Sequence, residues 1–219
     1  MQPLSRRRCL RWCAGGSLAL LAAALAGCGR QPIKGTLVAA GASVLALGDS
    51  LTYGTGAAPE DAWPAVLAGL TGWQLINAGV PGDTSAQALA RLPGLLQEHA
   101  PALVLLGIGG NDLLRRLPED DLREHIRRMV ALCRAHPAQL LLIAVPRPTL
   151  AARLTESLDD HPLYGALAEE LRVPLHRQGW SQVLQDSRLR ADAIHANAEG
   201  YRQFAQGLLA TLRATGLLA

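Results

Sequence analysis

A serine hydroxyl becomes a useful nucleophile at neutral pH only beside a base. It also needs a group that orients the base and donors aimed at the negative charge developing on the attacked oxygen. Residue types for each part are present. Ser50 stands in Gly48-Asp49-Ser50-Leu51, directly after an apolar run over residues 43–47. A helix starting there would direct its first backbone N–H groups at an anion, although a serine in that place also serves as a plain N-cap. Asp192-Ala193-Ile194-His195 places a carboxylate three residues ahead of an imidazole. At that spacing the carboxylate can curl back to Nδ1–H, fix the tautomer and stabilise the imidazolium formed during attack; the same two residues before a helix could equally be solvated or capping. Asn111 follows Gly109 and Gly110, whose small size would let its amide approach a bound molecule. Gly-Asn-Asp is also ordinary turn composition, as is Pro81-Gly82-Asp83.

The elements that would have to position these groups alternate along the chain. Short apolar runs at 43–47, 75–78, 103–107 and 140–145 read as buried parallel strands. Between them lie stretches of helical period: Trp63, Val66, Leu67 and Leu70; Leu89, Leu92 and Leu96; residues 122–133; then Leu163, Leu167 and Leu171. A last helix over 198–213 presents Tyr201, Phe204, Leu208 and Leu212 on one side, with Asn197 as its N-cap. Strand-helix alternation predicts an α/β fold, a three-layer α/β/α sandwich around a central parallel sheet. In such a sheet, reactive residues collect beyond the carboxyl ends of the strands. The polar clusters at Gly48-Asp49-Ser50, Gly82-Asp83-Thr84-Ser85 and Gly109-Gly110-Asn111-Asp112 all fall there.

The first 27 residues have a basic start (Arg6, Arg7, Arg8, Arg11), an apolar middle over 18–26 and small residues before Cys28, the layout of a secretory signal. The apolar part is shorter than the roughly 20 residues needed to span a bilayer. Leu25-Ala26-Gly27-Cys28 resembles a bacterial lipobox, which implies cleavage before Cys28 and lipid on its thiol, while residues 5–11 resemble a twin-arginine export signal. The expected organisation is a signal peptide over 1–27, a lipidated Cys28 and tether over 28–42, and one domain over 43–219. The protein would then be an exported bacterial lipoprotein, membrane-anchored on the periplasmic side of the envelope.

Removing the signal takes four of the 21 Lys and Arg residues and none of the 18 Asp and Glu residues, so the formal charge becomes −1. The basic balance therefore belongs to the signal, and no basic patch interleaved with aromatics points to nucleic acid. Of four cysteines only Cys133 is left in the domain, on a helical face with Leu122, Ile126, Met129 and Val130. It reads as a core residue, with no partner for an intrachain disulfide.

Taken in order, Gly48-Asp49-Ser50-Leu51, Gly82, Gly110-Asn111-Asp112 and Asp192-Ala193-Ile194-His195 resemble the four motif blocks of SGNH (GDSL) hydrolases. Ile76-Asn77-Ala78 with Gly82-Asp83-Thr84-Ser85 is similar to the bacterial thioesterase I/lysophospholipase branch. The resemblance implies a flavodoxin-like fold and a serine esterase acting on acyl esters such as lysophospholipids, acyl thioesters or aryl esters. It makes Ser50 the nucleophile, His195 the general base and then acid, and Asp192 its orienting partner. The oxyanion hole would be formed by the Ser50 and Gly82 N–H groups and the Asn111 amide. No metal or organic cofactor and no protein partner is implied. Residues 146–162, with Leu150, Leu154 and Leu158, are expected to wall the acyl pocket.

Three other enzyme readings fail on residues: there is no Gly-x-Ser-x-Gly elbow, no spaced His and Asp set for a metallophosphoesterase, and Asp112 replaces the last glycine of a dinucleotide fingerprint. Two alternatives stay open: an esterase removing O-acetyl groups from envelope carbohydrate, and a catalytically silent lipoprotein binding an acyl chain or glycan in the same cleft.

Overall fold

Val44, Leu45, Ala46 and Leu47 are all fully buried, as a strand must be when helices cover both faces of its sheet. The computed structural model describes residues 32–147 and 158–219. Over these residues the strands are β1 (Ser43–Gly48), β2 (Gln74–Gly79), β3 (Leu103–Gly107), β4 (Gln139–Ile143) and β5 (Leu175–His176). They form one sheet in the order β2-β1-β3-β4-β5, every pair parallel.

Successive strand residues point to opposite faces, and the two faces are covered by different helices. Leu45, Leu47, Val104, Leu106, Leu140 and Leu142 pack against α3 (Ser85–His99), α5 (Glu119–Ala135) and α6 (Pro162–Leu171). Cys133 belongs to this core, where burial pushes its thiol up to about 12. Val44, Ala46, Leu103, Leu105, Leu141 and Ile143 pack against α2 (Trp63–Thr71), α7 (Gly179–Gln185) and α8 (Ala198–Ala214). On that side Trp180 stacks on Phe204 with ring centroids 3.7 Å apart, and Phe204 meets Trp63 edge-on. The expected three-layer sandwich is what the chain forms.

Two expectations change in detail. The run at 140–145 is strand only to Ile143; beyond it Pro146, which has no N–H for a ladder, forms an isolated antiparallel bridge with Asp160. Residues 148–157, most of the expected pocket wall, lie outside the described residues, as do the expected signal peptide and Cys28. Residues 32–42, expected as tether, are seated on the domain. Val38 is buried and donates to Leu217 O at 2.9 Å, Gly35 donates to Thr215 O at 2.8 Å, and Thr36 exchanges hydrogen bonds with the Gln139 side chain. One apolar side chain and a few paired amides dock a segment too short and irregular to show a period.

The carboxyl ends of the three neighbouring strands are held in register: Gly48 pairs with Gly79 on one side and Gly107 on the other. This row of glycines is the seat of α1 (Ser50–Tyr53), a single turn that folds back over the strand ends. A Cβ on Gly48 would lie 2.2 Å from Thr52 Oγ1 and 2.4 Å from Gly107 O; one on Gly79 would lie 2.2 Å from Tyr53 N and 2.7 Å from Thr52 C. Since the obstacle at Gly79 is backbone, no rotamer change relieves it. Gly79→Ala is therefore expected to cost about 1–3 kcal/mol through overpacking, measured by urea unfolding, with a parallel loss of activity as α1 lifts. Unchanged stability and activity would show that α1 does not need the close seat.

Candidate active site

With β1 between β2 and β3, the chain winds one way from β1 to β2 and the other way to β3. Strand ends diverge at such a switch point and leave a crevice. Three of the four expected motif blocks come to it on strand ends, and the fourth arrives from the far end of the chain, just before α8. Ser50 is the first residue of α1, so its N–H is among the unpaired donors of a first helical turn. Asp49 caps the same turn, its Oδ1 accepting from Leu51 N–H at 3.0 Å.

His195 Nε2 lies 3.0 Å from Ser50 Oγ, and His195 Nδ1 lies 2.7 Å from Asp192 Oδ2. A carboxylate can only accept, so Nδ1 carries the proton and Nε2 presents its lone pair to the serine hydroxyl. Asp192 Oδ1 accepts from Ile194 N–H at 2.8 Å and His195 N–H at 2.9 Å. Burial works against ionisation of Asp192, but the bonds from the His195 ring and these two N–H groups outweigh it and hold the carboxyl below its ordinary range. The loop carrying the pair is closed by Ala191 N–H donating to His195 O at 3.0 Å and by an antiparallel bridge between Arg190 and Ala196. Asn197, immediately after, caps α8 through Gly200 N–H and donates to Arg188 O at 2.8 Å.

Gly82 and Asn111 are brought together beyond the ends of β2 and β3. Gly82 has φ +84°, a left-handed value that a Cβ would strain, in a turn closed by Asp83 N–H donating to Val80 O at 3.1 Å. Val80 N–H donates to Gly48 O at 3.1 Å, which ties this turn to the end of β1. Asn111 lies in α4 (Gly110–Leu114), and its Nδ2 donates to Asp83 O at 3.0 Å. An amide has two N–H donors, so one fixes Asn111 to the Gly82 turn and the other is available to a ligand. A hydroxyl with a tautomerically fixed imidazole, together with a first-turn N–H, a turn N–H and an amide, supplies the groups that acyl transfer needs.

Several contributors carried no readable signal in the sequence. Buried Asp83 is paired with Arg91, whose Nε donates to Asp83 Oδ2 at 2.9 Å while its Nη2 donates to Ala78 O at 3.1 Å, so α3 is bound to the end of β2. Tyr164 Oη donates to Ile108 O and Tyr201 Oη to Thr55 O, each at 2.7 Å, which anchors the loops after β3 and α1. The two tyrosines come from helices distant in the chain from the loops they hold, and nothing but the fold pairs them. Among the described residues, no group of three or more His, Cys, Asp or Glu side chains is placed to hold a metal ion.

Asp49 is the electrostatic cost of this arrangement. It is buried, with its Oδ2 facing Gly110, and burial pushes its carboxyl from 3.8 up to about 6; the Leu51 N–H and charge on His195 oppose the rise, and Asp112 adds to it. Between these values the folded chain holds a proton that the unfolded chain has released. Stability therefore falls as pH rises from about 4 through 6, by on the order of 3 kcal/mol for this group, and the loss persists above. Asp49→Asn keeps an acceptor for Leu51 N–H but does not titrate. Its stability relative to the parent is expected to rise across that window in urea melts at a series of pH values; a difference flat with pH would contradict the assignment.

A family model described as GDSL-like Lipase/Acylhydrolase matches residues 46–203, which takes in every residue of this crevice. The chain is 36% identical over 167 residues to the thioesterase 1/protease 1/lysophospholipase L1 of Escherichia coli K12, covering 74% of this chain and 78% of that protein. To esterase TesA of Pseudomonas aeruginosa it is 32% identical over 187 residues, covering 81% and 91%. A crystal structure of TesA superposes with a TM-score of 0.71 at 28% identity, over 79% of this chain and 99% of that one. Order of motifs, fold and crevice thus agree with the similarity along the chain, which belongs to the GDSL-like lipase/acylhydrolase family as an esterase of the SGNH type.

Proposed function

We propose that Ser50 attacks the carbonyl of an acyl ester while His195 Nε2 takes its proton, with Asp192 orienting and stabilising the imidazolium. The oxyanion is received by the N–H groups of Ser50 and Gly82 and by Asn111 Nδ2. Collapse of the tetrahedral intermediate breaks the bond to the leaving group, which takes the proton from His195 and departs as an alcohol or thiol. Water then repeats the sequence on the acyl-Ser50, His195 again acting as base and then acid, and releases the carboxylic acid.

The observation that carries the substrate class is the presence of exposed apolar side chains close in sequence to the reacting groups. Each segment bringing a group to the site also exposes a large apolar side chain: Tyr53 at the end of α1, Val80 after β2, Leu114 at the end of α4 and Ile194 between Asp192 and His195, all at least 38% exposed. Exposed apolar surface around a reactive group is the usual mark of a site for an apolar ligand. Acyl chains longer than acetyl suit these side chains, in line with the relatives named for thioesterase and lysophospholipase activity.

With p-nitrophenyl esters from acetate to dodecanoate, kcat/KM is expected to rise with chain length, and Ser50→Ala to lose on the order of 10⁶ in kcat. Activity confined to acetate would favour carbohydrate deacetylation instead, and no Ser50-dependent turnover from folded protein would favour a binding lipoprotein.

The same reading places the enzyme on the periplasmic side of a bacterial membrane, held by lipid on Cys28. Its support is the basic, apolar and small-residue layout before Cys28. The full chain is expected in the membrane fraction with a mass increase from acylation at Cys28, and Cys28→Ser in the soluble fraction. A parent that is soluble and unacylated would overturn the anchor.

A further inference from the structure

Outside the triad, a second set of serine, aspartate and histidine side chains is joined by short hydrogen bonds. Ser85 N–H donates to Asp112 Oδ2 at 2.9 Å, Ser85 Oγ donates to Asp112 Oδ1 at 2.6 Å, and His125 Nδ1 lies 2.8 Å from Ser85 Oγ. Ser85 and Asp112 are both buried. The order of groups differs from a nucleophilic triad, because here the serine is in the middle. Its single proton is committed to the carboxylate, so His125 must be the donor, with its proton on Nδ1. The serine hydroxyl therefore gives its proton to a carboxylate and presents no proton to an imidazole lone pair, and it is fully buried, so the set is not arranged as a nucleophile.

What it can do follows from its neighbours in the chain. Asp112 follows Asn111 directly, and Ser85 is two residues beyond Asp83, whose carbonyl receives Asn111 Nδ2 at 3.0 Å. The two cross-links close a ring: Asn111 to Asp83 through the amide, along the backbone to Ser85, across to Asp112, and back along the backbone to Asn111. A ring of this kind holds the amide at two points, and His125, from α5, holds the Ser85 hydroxyl in the rotamer that closes it.

We propose that Ser85 and His125 are positioning residues for the Asn111 amide, acting through Asp112. This rests on the reading of Asn111 as an oxyanion donor. Without the His125 donor the Ser85 hydroxyl is free to rotate away from Asp112; without the hydroxyl, one carboxylate oxygen is left buried and unpaired. Either change loosens α4 against the Gly82 turn. Displacement of a catalytic group by about 1 Å can lower turnover by on the order of 10²-fold, and a donor aimed at the oxyanion acts in the transition state rather than in substrate binding.

The test is a double-mutant cycle on hydrolysis of a p-nitrophenyl ester, with kcat and KM measured separately and folding checked by urea melts. Variants are Ser85→Ala, His125→Ala, His125→Asn and Asn111→Ala, plus each of Ser85→Ala and His125→Ala combined with Asn111→Ala. Ser85→Ala is expected to lower kcat by roughly 10–100-fold and His125→Ala by about 3–10-fold, with KM within about twofold of the parent. In the Asn111→Ala background both losses should shrink to less than about twofold, since the amide they position is gone. His125→Asn, whose Nδ2 can donate in place of the ring N–H, should recover most of the loss. Full-sized losses in both backgrounds, or a change confined to KM, would overturn the positioning role while leaving the oxyanion reading intact. Should Asn111→Ala itself retain parental kcat, the reading of Asn111 fails and the positioning role with it.

Discussion

The contact on which the rest of the site depends is the 3.0 Å approach of His195 Nε2 to Ser50 Oγ, made between residues 145 apart in the chain. Nothing local can supply it. Ser50 is fixed by the end of β1 and His195 by the loop that leads into α8, so the relative placement of the first strand and the last helix must be set to within a fraction of an ångström. The fold does this with side chains from α8 that reach the serine side directly. Tyr201 Oη donates to Thr55 O just beyond α1, and Phe204 packs edge-on against Trp63 at the start of α2. Gly56 completes the approach, since a Cβ there would lie 2.6 Å from Ala196 O, next to His195. Close contact of two loop backbones at this point is what brings the imidazole within reach.

The serine side makes the opposite demand, for a turn sharp enough to expose Oγ on the rim of a packed sheet. Glycines in register at the ends of β1 and β2 let α1 lie on the strand ends, and Asp49 caps it from the interior. That geometry buries a carboxyl that, among the described residues, has no cation in an ion pair, and burial outweighs its backbone N–H bonds and pushes its pKa up. Asp83, equally buried, is paired with Arg91.

How much of this could be read from the sequence depends on the distance over which each interaction is encoded. β1, β3 and β4 are apolar runs because both their faces are covered, and the amphipathic helices announce themselves by period, so the sandwich was legible. Ser50, Gly82, Asn111, Asp192 and His195 stand out in the sequence as short ordered motifs, in the segments that follow β1, β2 and β3 and in the loop that leads into α8. β5 was not: with two residues it has no alternation to show, and it is placed by Leu142 and Ile143 of β4. Docking of residues 32–42 rests on Val38 and a handful of amides, too little to distinguish from a linker. Ser85 and His125, 40 residues apart, are an unremarkable helix start and an unremarkable helix residue until the fold puts 2.8 Å between them.

The Asp192-His195 pair occupies an instructive middle position. The Asp192 side chain is 54% exposed, so its attraction for the imidazolium is screened by water and cannot be the strong low-dielectric interaction of a buried pair. Yet the carboxylate is held firmly, because its other oxygen accepts the N–H groups of Ile194 and His195 in its own turn. The pair is therefore a local unit, built by four consecutive residues and needing no help from the core to find its geometry. Its contribution is orientation and tautomer more than field strength. That division of labour explains why so short a motif stands out in the sequence: the fold has only to deliver the finished unit to Ser50, and the one long-range contact it must make is the bond to the serine hydroxyl.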